Sequence, residues 1–239
     1  MPATHALNRT RNLVSQIQKS MADLHFYYAP GACSLASHIL LHEAGVPFTT
    51  TRLSVRPAFP DDYAYINSKK RVPVLSFNGD FITENPAVML AVSQLVPEKN
   101  LMGKTDLDKV RVLEWMNWLS ASVHGQAYGM ILRPSRFSDQ ESLHPGIREN
   151  GMKTLQDCFA QIESWLGKNK QQGVGFYALG DGQNFSAVDG YLYVFYRWAI
   201  SLKLDMQAQY SRYSTLVRKL ESRDAVQQAL QAEGLQSVL

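Results

Sequence analysis

The sequence predicts a two-part protein, an α/β domain followed by an all-α domain. Short strand-like segments alternate with helical segments over residues 23–97, whereas only helical apolar spacing is found from residue 106 onward. The polar stretch between them contains Gly103 and has the composition of a linker. We therefore assign residues 23–97 to the first domain, residues 98–105 to a linker and residues 106–239 to the all-helical domain.

Bulk composition narrows the function classes. The 239 residues are 45% hydrophobic, so the chain can bury the core of one large domain or two modest ones. A net charge of +3 argues against a nucleic-acid binder that depends on a broad basic surface. Only two cysteines, Cys33 and Cys158, are present, which fits a reducing compartment such as the cytoplasm. No apolar run approaches membrane-spanning length, so no membrane is expected as a partner. The small net charge likewise predicts no nucleic-acid partner.

The first 22 residues differ in composition from the rest. They contain three basic residues and no acidic one, and their apolar residues could line one helical face. This pattern is typical of a mitochondrial transit peptide. The alternatives are a disordered tail, or an extension that precedes a true start at Met21. Mitochondrial targeting therefore stays open beside the cytoplasmic expectation.

A strand, a tight turn and a helix open the first domain. Leu24–Tyr28 favours a strand, Pro30-Gly31 breaks it, and apolar residues then recur at helical spacing up to Gly45. Cys33 falls in the first turn of that helix. The unpaired amides and the macrodipole at a helix start stabilise a thiolate, either of Cys33 or of a bound thiol ligand. The alternative is that Cys33 is a small buried hydrophobic residue.

The remaining elements follow from the same patterns. In the first domain we expect a mixed sheet with helices on both faces. After the first helix we expect a strand over 48–53, a short helix over 61–67 and a hairpin of 74–77 with 81–83. A further helix follows the hairpin, with Asn85 as its N-cap. In the second domain we expect helices at about 106–129, 146–166, 187–202, 210–222 and 225–233, with a loop over 167–182. Ser186 and Asp189 form a capping box at the start of the third of these helices.

Five segments resemble signature segments of the cytosolic glutathione transferases, and of their beta class in particular. In chain order they are FYYAPGACSLASHILLHEAGVPF, RVPVL with TENPAVM, LEWMNWLSASVHG, FSAVDGYLYVFYRWA and AVQQALQAEGL. The resemblance implies the glutathione transferase fold, which is a thioredoxin-like first domain followed by an all-helical domain, and it implies a homodimer. It also implies an enzyme that transfers small electrophilic groups to glutathione, its co-substrate, and no metal is expected.

The resemblance and the local chemistry together select the glutathione site. A cis bond between Val72 and Pro73 would present the N–H and C=O of Val72 to the ligand's peptide backbone, like an added strand; the alternative is an ordinary proline at a strand start. Glu84 and Asn85 stand at a helix start, where amides bind a carboxylate and Glu84 can accept from an α-ammonium. The alternative there is a plain helix cap. Tyr28 is also predicted to contact glutathione.

Basic residues are predicted to bind the glycine carboxylate of glutathione. Lys69, Lys70 and Arg71 form a short basic run, and Arg71 directly precedes Val72. Arg56 is the nearest substitute for a lysine that the resembling family carries in the preceding loop. The alternative reading of the run is a solvated loop.

The second domain is predicted to supply the remaining site residues. His124 and Tyr128 lie one helical turn apart and share a face. By resemblance, His124 is the second catalytic residue beside Cys33, acting as hydrogen-bond donor or proton shuttle; the alternative is a satisfied helix histidine. Tyr27, Tyr128 and Trp198 are expected to line an apolar pocket for the electrophile, unless they belong to the core.

Two further functions remain open. Cys33 could form a mixed disulfide with glutathione and act as a monothiol thiol–disulfide oxidoreductase, with glutathione as the resolving thiol. Alternatively, the protein could be a non-catalytic member of the fold that stores apolar ligands.

Overall fold

The computed structural model describes residues 22–171, 175–180 and 182–239. The N-terminal segment expected to be disordered or targeting therefore lies outside the described residues, apart from residue 22. The chain divides into two compact units. The first runs to Leu101 and also includes Asp224–Ser237, and the second comprises Met102–Arg223 with Val238–Leu239. Assigning everything after residue 105 to the helical domain was thus wrong for the last helix, which groups with the first unit.

A four-stranded mixed sheet forms the centre of the first unit. Its strands are β1 (Leu24–Tyr28), β2 (Thr49–Arg52), β3 (Val74–Phe77) and β4 (Asp80–Thr83), in the spatial order β2-β1-β3-β4. β1 pairs in parallel with β2, and the other two pairings are antiparallel. The β3–β4 hairpin turns at Asn78-Gly79, and both residues have positive φ, as such turns require.

Helices cover one face of the sheet. α1 (Ser34–Ala44) follows β1, and α2 (Asn85–Gln94) follows β4 and packs against α1. Phe26 and Tyr28 of β1 lie against the ring of His38 on α1. α1 ends at Gly45, whose left-handed backbone (φ 65°) lets its amide donate to the carbonyls of Leu41 and His42.

The other face of the sheet differs from the expectation. The helix predicted over 61–67 is only a 3₁₀ turn at Asp61–Tyr63. The irregular segment between β2 and β3 covers this face instead, with Leu53, Phe59 and Ile66 packed into one apolar cluster with Val74. Because successive strand residues face opposite ways, Tyr27 points into this cluster while its neighbours in β1 point to the helices.

Helices are the only regular secondary structure in the part of the second unit that the structure describes. Its helices are α3 (Asp106–Trp118), a π-helix (Leu119–Tyr128), α4 (Gly129–Leu132), α5 (His144–Gln171), α6 (Ala187–Ser201), α7 (Met206–Gln209) and α8 (Ser211–Glu221). α9 (Asp224–Glu233) belongs to the first unit and packs against α1. Short 3₁₀ turns occur at Pro97–Lys99, Pro134–Arg136 and Glu141–Leu143. No helix among the described residues has the length and apolar character needed to span a bilayer.

Two predicted helices have corrected boundaries. The helix expected over 106–129 exists, but its second half is π-helical, with a wider turn than the α-helix that apolar spacing predicts. The helix expected to end near 166 continues to Gln171, so the start of the predicted loop over 167–182 is helical.

α6 is the buried helix of the second unit, as its sequence predicted. Tyr191, Leu192 and Phe195 on it are all buried. Asp189 accepts from the amide of Ser186 at 2.8 Å and from its hydroxyl at 2.9 Å, which confirms the predicted capping box. The amide of Ala178 also donates to Asp189, at 2.8 Å. This carboxylate therefore fixes both the helix start and the loop before it.

Candidate active site

The peptide bond between Val72 and Pro73 is cis, as the family resemblance led us to expect. The carbonyl oxygen of Val72 accepts a hydrogen bond from the Sγ of Cys33 at 3.4 Å. The amide of Val72 makes no hydrogen bond to any of the described residues. A buried residue thus presents one unused backbone donor directly before β3, beside a thiol. This is the arrangement that pairs with an extended peptide.

Cys33 caps the start of α1, but its thiol is not acidic. Although the residue keeps some exposure, burial of the sulfur raises the pKa of the Cys33 thiol to about 11. Hydrogen bonds from the amides of Cys33 and Ser34 and from Asn85 act in the opposite direction and offset only part of this rise. The expectation of a stabilised Cys33 thiolate is therefore wrong for the ligand-free protein. Cys33 is a neutral S–H donor at neutral pH.

Asn85 ties the starts of the two helices together. Its Nδ2 donates to the carbonyl oxygen of Cys33 at 2.9 Å, and its Oδ1 accepts from the hydroxyl of Ser37 at 2.7 Å. The N-cap of α2 is Glu84, so the prediction that Asn85 is the N-cap was wrong. Asn85 is buried and its side chain is engaged, which leaves its backbone amide as the group that can meet a ligand.

Glu84 is held in an unusual backbone conformation. Its φ of 75° lies in the left-handed region that non-glycine residues rarely adopt. Its carboxylate is exposed and accepts a hydrogen bond from the Nζ of Lys69. Strained residues of this kind cluster at ligand sites. Sequence reasoning missed the contact with Lys69, because the two residues lie 15 positions apart and on different elements.

The two predicted arginines stay on the surface. Arg71 and Arg56 are both exposed, and Arg56 precedes a second cis proline, Pro57. Asn67 shapes the loop before Val72: it donates to the carbonyl of Arg71 at 2.7 Å and accepts from the amide of Lys69 at 3.0 Å. Asn67 therefore fixes the backbone of this loop up to Arg71, the residue before Val72.

The two tyrosines of β1 that were predicted as site residues pack against other parts of the first unit. Tyr28 is buried, and its hydroxyl donates to the carbonyl of Ala232 at 3.2 Å, so a role in contacting glutathione is not supported. Tyr27 packs edge-on against Tyr63 and Phe81 on the opposite face of the sheet. Burial raises the pKa of the Tyr27 hydroxyl, with a further contribution from the nearby Tyr65.

A buried carboxylate that the sequence did not reveal supports the turn before Cys33. Glu233 of α9 accepts from the amide of Gly31 at 2.8 Å and from the Nδ1 of His38 at 2.9 Å. Both side chains of this pair are almost fully buried, with exposed fractions of 1% for His38 and 0% for Glu233. No local pattern signals these contacts, which join residues about 200 positions apart in the chain.

The second unit gathers the other three predicted residues around one aromatic face. The ring of His124 lies 5.3 Å from that of Trp198, and its Nδ1 lies 3.3 Å from the hydroxyl of Tyr191. The ring of Tyr128 lies 5.0 Å from Trp198. Tyr128 is buried, its hydroxyl donates to the carbonyl of Phe195 at 2.6 Å, and burial raises its pKa well above the usual value. Tyr128 is therefore a core residue, whereas His124 and Trp198 keep partial exposure.

The described residues contain no cluster of three or more His, Cys, Asp or Glu side chains that could hold a metal ion.

Comparison with known proteins identifies the family. The model of the glutathione S-transferase N-terminal domain matches residues 22–90. The glutathione S-transferase GstA of Escherichia coli O157:H7 is 31% identical over 216 residues, which cover 87% of this chain and 98% of that protein. Two solved structures match along nearly their whole lengths. A glutathione transferase homologue from Sulfitobacter with bound glutathione is 27% identical, with a TM-score of 0.79, and covers 90% of this chain and 99% of its own. A beta-class enzyme from Sphingomonas chungbukensis is 26% identical, with a TM-score of 0.74, and covers 89% and 100%. The chain therefore belongs to the glutathione S-transferase family and is similar to its bacterial beta class.

Proposed function

We propose that this protein joins the thiol of glutathione to small electrophilic molecules. The observation that carries this function is the cis Val72-Pro73 bond, with an unused Val72 amide and the Cys33 thiol on the Val72 carbonyl. Membership of the family and the likeness to a structure with bound glutathione support it.

Glutathione pairs its cysteinyl backbone with Val72, as an added strand would. Its γ-glutamyl end meets the start of α2, where Glu84 accepts from the α-ammonium and backbone amides bind the carboxylate. Its glycine carboxylate pairs with exposed cations, Arg71 and, from the loop after β2, Arg56. Asn85 acts through its amide and by fixing the Cys33 carbonyl.

The neutral state of Cys33 suits a site that stabilises a different sulfur. A second thiolate beside the glutathione thiolate would oppose its ionisation by like-charge repulsion. A protonated Cys33 can instead donate its S–H to the glutathione sulfur. The amides at the start of α1 then favour the ligand's negative charge and so lower the pKa of its thiol.

The second unit serves the electrophile through its aromatic face. Trp198 offers a partly exposed ring, and His124 beside it supplies the polar group that can donate or transfer a proton. Because Tyr128 is buried and its hydroxyl is engaged, it supports this face from below rather than contacting substrate.

Substitution of Cys33 separates conjugation from thiol–disulfide exchange. Calorimetry measures glutathione binding by the wild-type chain and by Cys33→Ala, and each is assayed with an activated aryl halide and with a mixed disulfide. Conjugation predicts that Cys33→Ala keeps glutathione binding and a substantial part of the aryl-halide activity. If the wild type acts only on the mixed disulfide, and Cys33→Ala loses nearly all of that activity, the protein is the oxidoreductase instead. Absence of glutathione binding at millimolar concentration would end both, and dye binding without turnover would indicate a storage protein.

An apolar surface stripe supports a homodimer, and two free thiols support a cytoplasmic location. α3 exposes Leu107, Val110 and Leu113, whose spacing makes an apolar stripe that a second copy of the chain would cover in a homodimer. Analytical ultracentrifugation at micromolar concentration measures whether the protein sediments as a dimer. Cys33 and Cys158 are both free thiols, which suits the reducing cytoplasm.

A further inference from the structure

Lys69 already places an ammonium group on Glu84. Its Nζ donates to the Glu84 carboxylate and to the Thr83 hydroxyl, the latter at 2.8 Å. These two acceptors are consecutive residues at the end of β4 and the start of α2. The lysine therefore bridges from the loop before the cis proline to the helix start.

The position of Lys69 is set by its own loop. Its backbone amide donates to the Oδ1 of Asn67, and the next amide, of Lys70, donates to the Asn67 carbonyl at 2.8 Å. Asn67 is buried and anchors both bonds. The Lys69 side chain consequently starts from a fixed point, and its contact with Glu84 is a property of the folded loop.

The proposed function gives Glu84 a second cation to bind. The α-ammonium of glutathione has the same charge and the same hydrogen-bonding group as Lys69, and both seek one carboxylate. We propose that Lys69 is a resident competitor for the ammonium subsite, and that it relaxes the enzyme's requirement for an α-amino group on its thiol substrate. This inference rests on the proposed function and concerns the specificity of the same site.

The substrate class follows from what happens when the amine is missing. With Lys69 present, Glu84 stays paired with Lys69 when a glutathione-like thiol peptide without the α-amine binds. The affinity for this peptide is then little lower than that for glutathione. Without Lys69, only the ligand can supply the cation, so a ligand lacking it leaves Glu84 without its partner. Sites that rely on a ligand's polar group discriminate more strongly against analogues without that group. The wild-type protein should therefore accept γ-acyl cysteinyl-glycine thiols that carry no free α-amine.

Lys70 is a matched control in the neighbouring position. It pairs with Asp61 at 2.8 Å rather than with Glu84, and its side chain is 53% exposed against 47% for Lys69. Replacing either lysine by methionine removes one positive charge from the same loop. Only Lys69→Met removes the competitor.

Calorimetry with two ligands tests the inference. Dissociation constants are measured for glutathione and for glutaryl-cysteinyl-glycine, the analogue without the α-amine, with wild type, Lys69→Met and Lys70→Met. The quantity compared is the dissociation constant of the analogue divided by that of glutathione. Because the analogue carries one more negative charge than glutathione, Lys70→Met measures how far the loss of one positive charge alone raises this ratio. We expect Lys69→Met to raise this ratio by about two- to fivefold more than Lys70→Met does, the range of an exposed ion pair.

The outcomes separate the inference from the function beneath it. If the wild type binds glutathione and the ratio is the same in all three proteins, Lys69 does not compete and only the inference fails. An equal rise in both variants attributes the effect to net charge and also overturns it. If the wild type binds neither ligand, the proposed function fails and takes the inference with it.

Discussion

Each unit contains a buried carboxylate that organises a turn before a helix, but the two work over different distances in the chain. Asp189 binds Ser186, three positions earlier, and Ala178 in the loop just before. Glu233 binds Gly31 and His38, about 200 positions away, and its partners precede and follow Cys33. The same chemistry thus appears once as a local helix cap and once as a long-range support of the site.

The groups that donate hydrogen bonds to the two carboxylates also differ in kind. Among the described residues, Asp189 accepts from three neutral donors, two amides and a hydroxyl. These hydrogen bonds, and to a smaller extent the charge of Arg223, offset the cost of burying its carboxylate. Glu233 accepts from an amide and from the imidazole of His38, a group that can itself take a proton. A local cap can be read from sequence, whereas a long-range support becomes visible only when the chain is folded.

Glu233→Ala has the largest expected effect on stability. It removes the acceptor from two donors, the Gly31 amide and the His38 imidazole, and each buried donor left without an acceptor costs about 1–3 kcal/mol. Urea unfolding at neutral pH measures the loss. Glu233→Gln is the control, because it keeps one acceptor oxygen and should lose less. A loss below about 1 kcal/mol for the alanine variant would show that neither donor depends on Glu233, and would remove the contrast with Asp189.

Asp189→Ala should cost somewhat less, about 2–4 kcal/mol. The substitution leaves the amides of Ala178 and Ser186 buried without their acceptor, and it removes the cap of α6. The matched control is Asp108→Ala, which removes the same capping-box acceptor at the exposed start of α3. That variant should lose about 1 kcal/mol or less, since water replaces the lost bond. Equal losses in the two variants would show that burial adds nothing to the cap.

Most of the order of elements could be predicted from the sequence because their signals are local. Pro30-Gly31, Asn78-Gly79 and the Ser186–Asp189 box each determine a turn or a helix start within a few residues, and the structure has all three. The cis bond before Pro73 was expected only through the family resemblance. These signals sufficed to place Cys33 at a helix start and Val72 before a strand.

What could not be predicted depends on contacts between distant segments. The pairing of Lys69 with Glu84, the use of the Asn85 side chain and the grouping of α9 with the first unit all need the folded chain. The thiol of Cys33 shows the same limit. Its helix-start position predicts a lowered pKa, but the burial that raises it comes from tertiary packing.

The smallest expected effect is the change in the free energy of unfolding with pH that comes from the titration of Asp189. Burial raises the pKa of Asp189 to about 6, from a value of 3.8 in a solvated chain, and hydrogen bonds from Ala178 and Ser186 oppose the rise. Between these two values the folded state holds a proton that the unfolded state has released, so stability falls as pH rises and levels off above pH 6. Asp189→Asn cannot titrate. The stability of the wild type relative to this variant should therefore fall by about 2–3 kcal/mol as the pH rises from about 4 to 7. Urea midpoints of both proteins across that range measure the difference. A difference that stays constant, or that grows with pH, would mean that the neutral donors hold Asp189 ionised throughout, and the two carboxylates would then differ in reach alone.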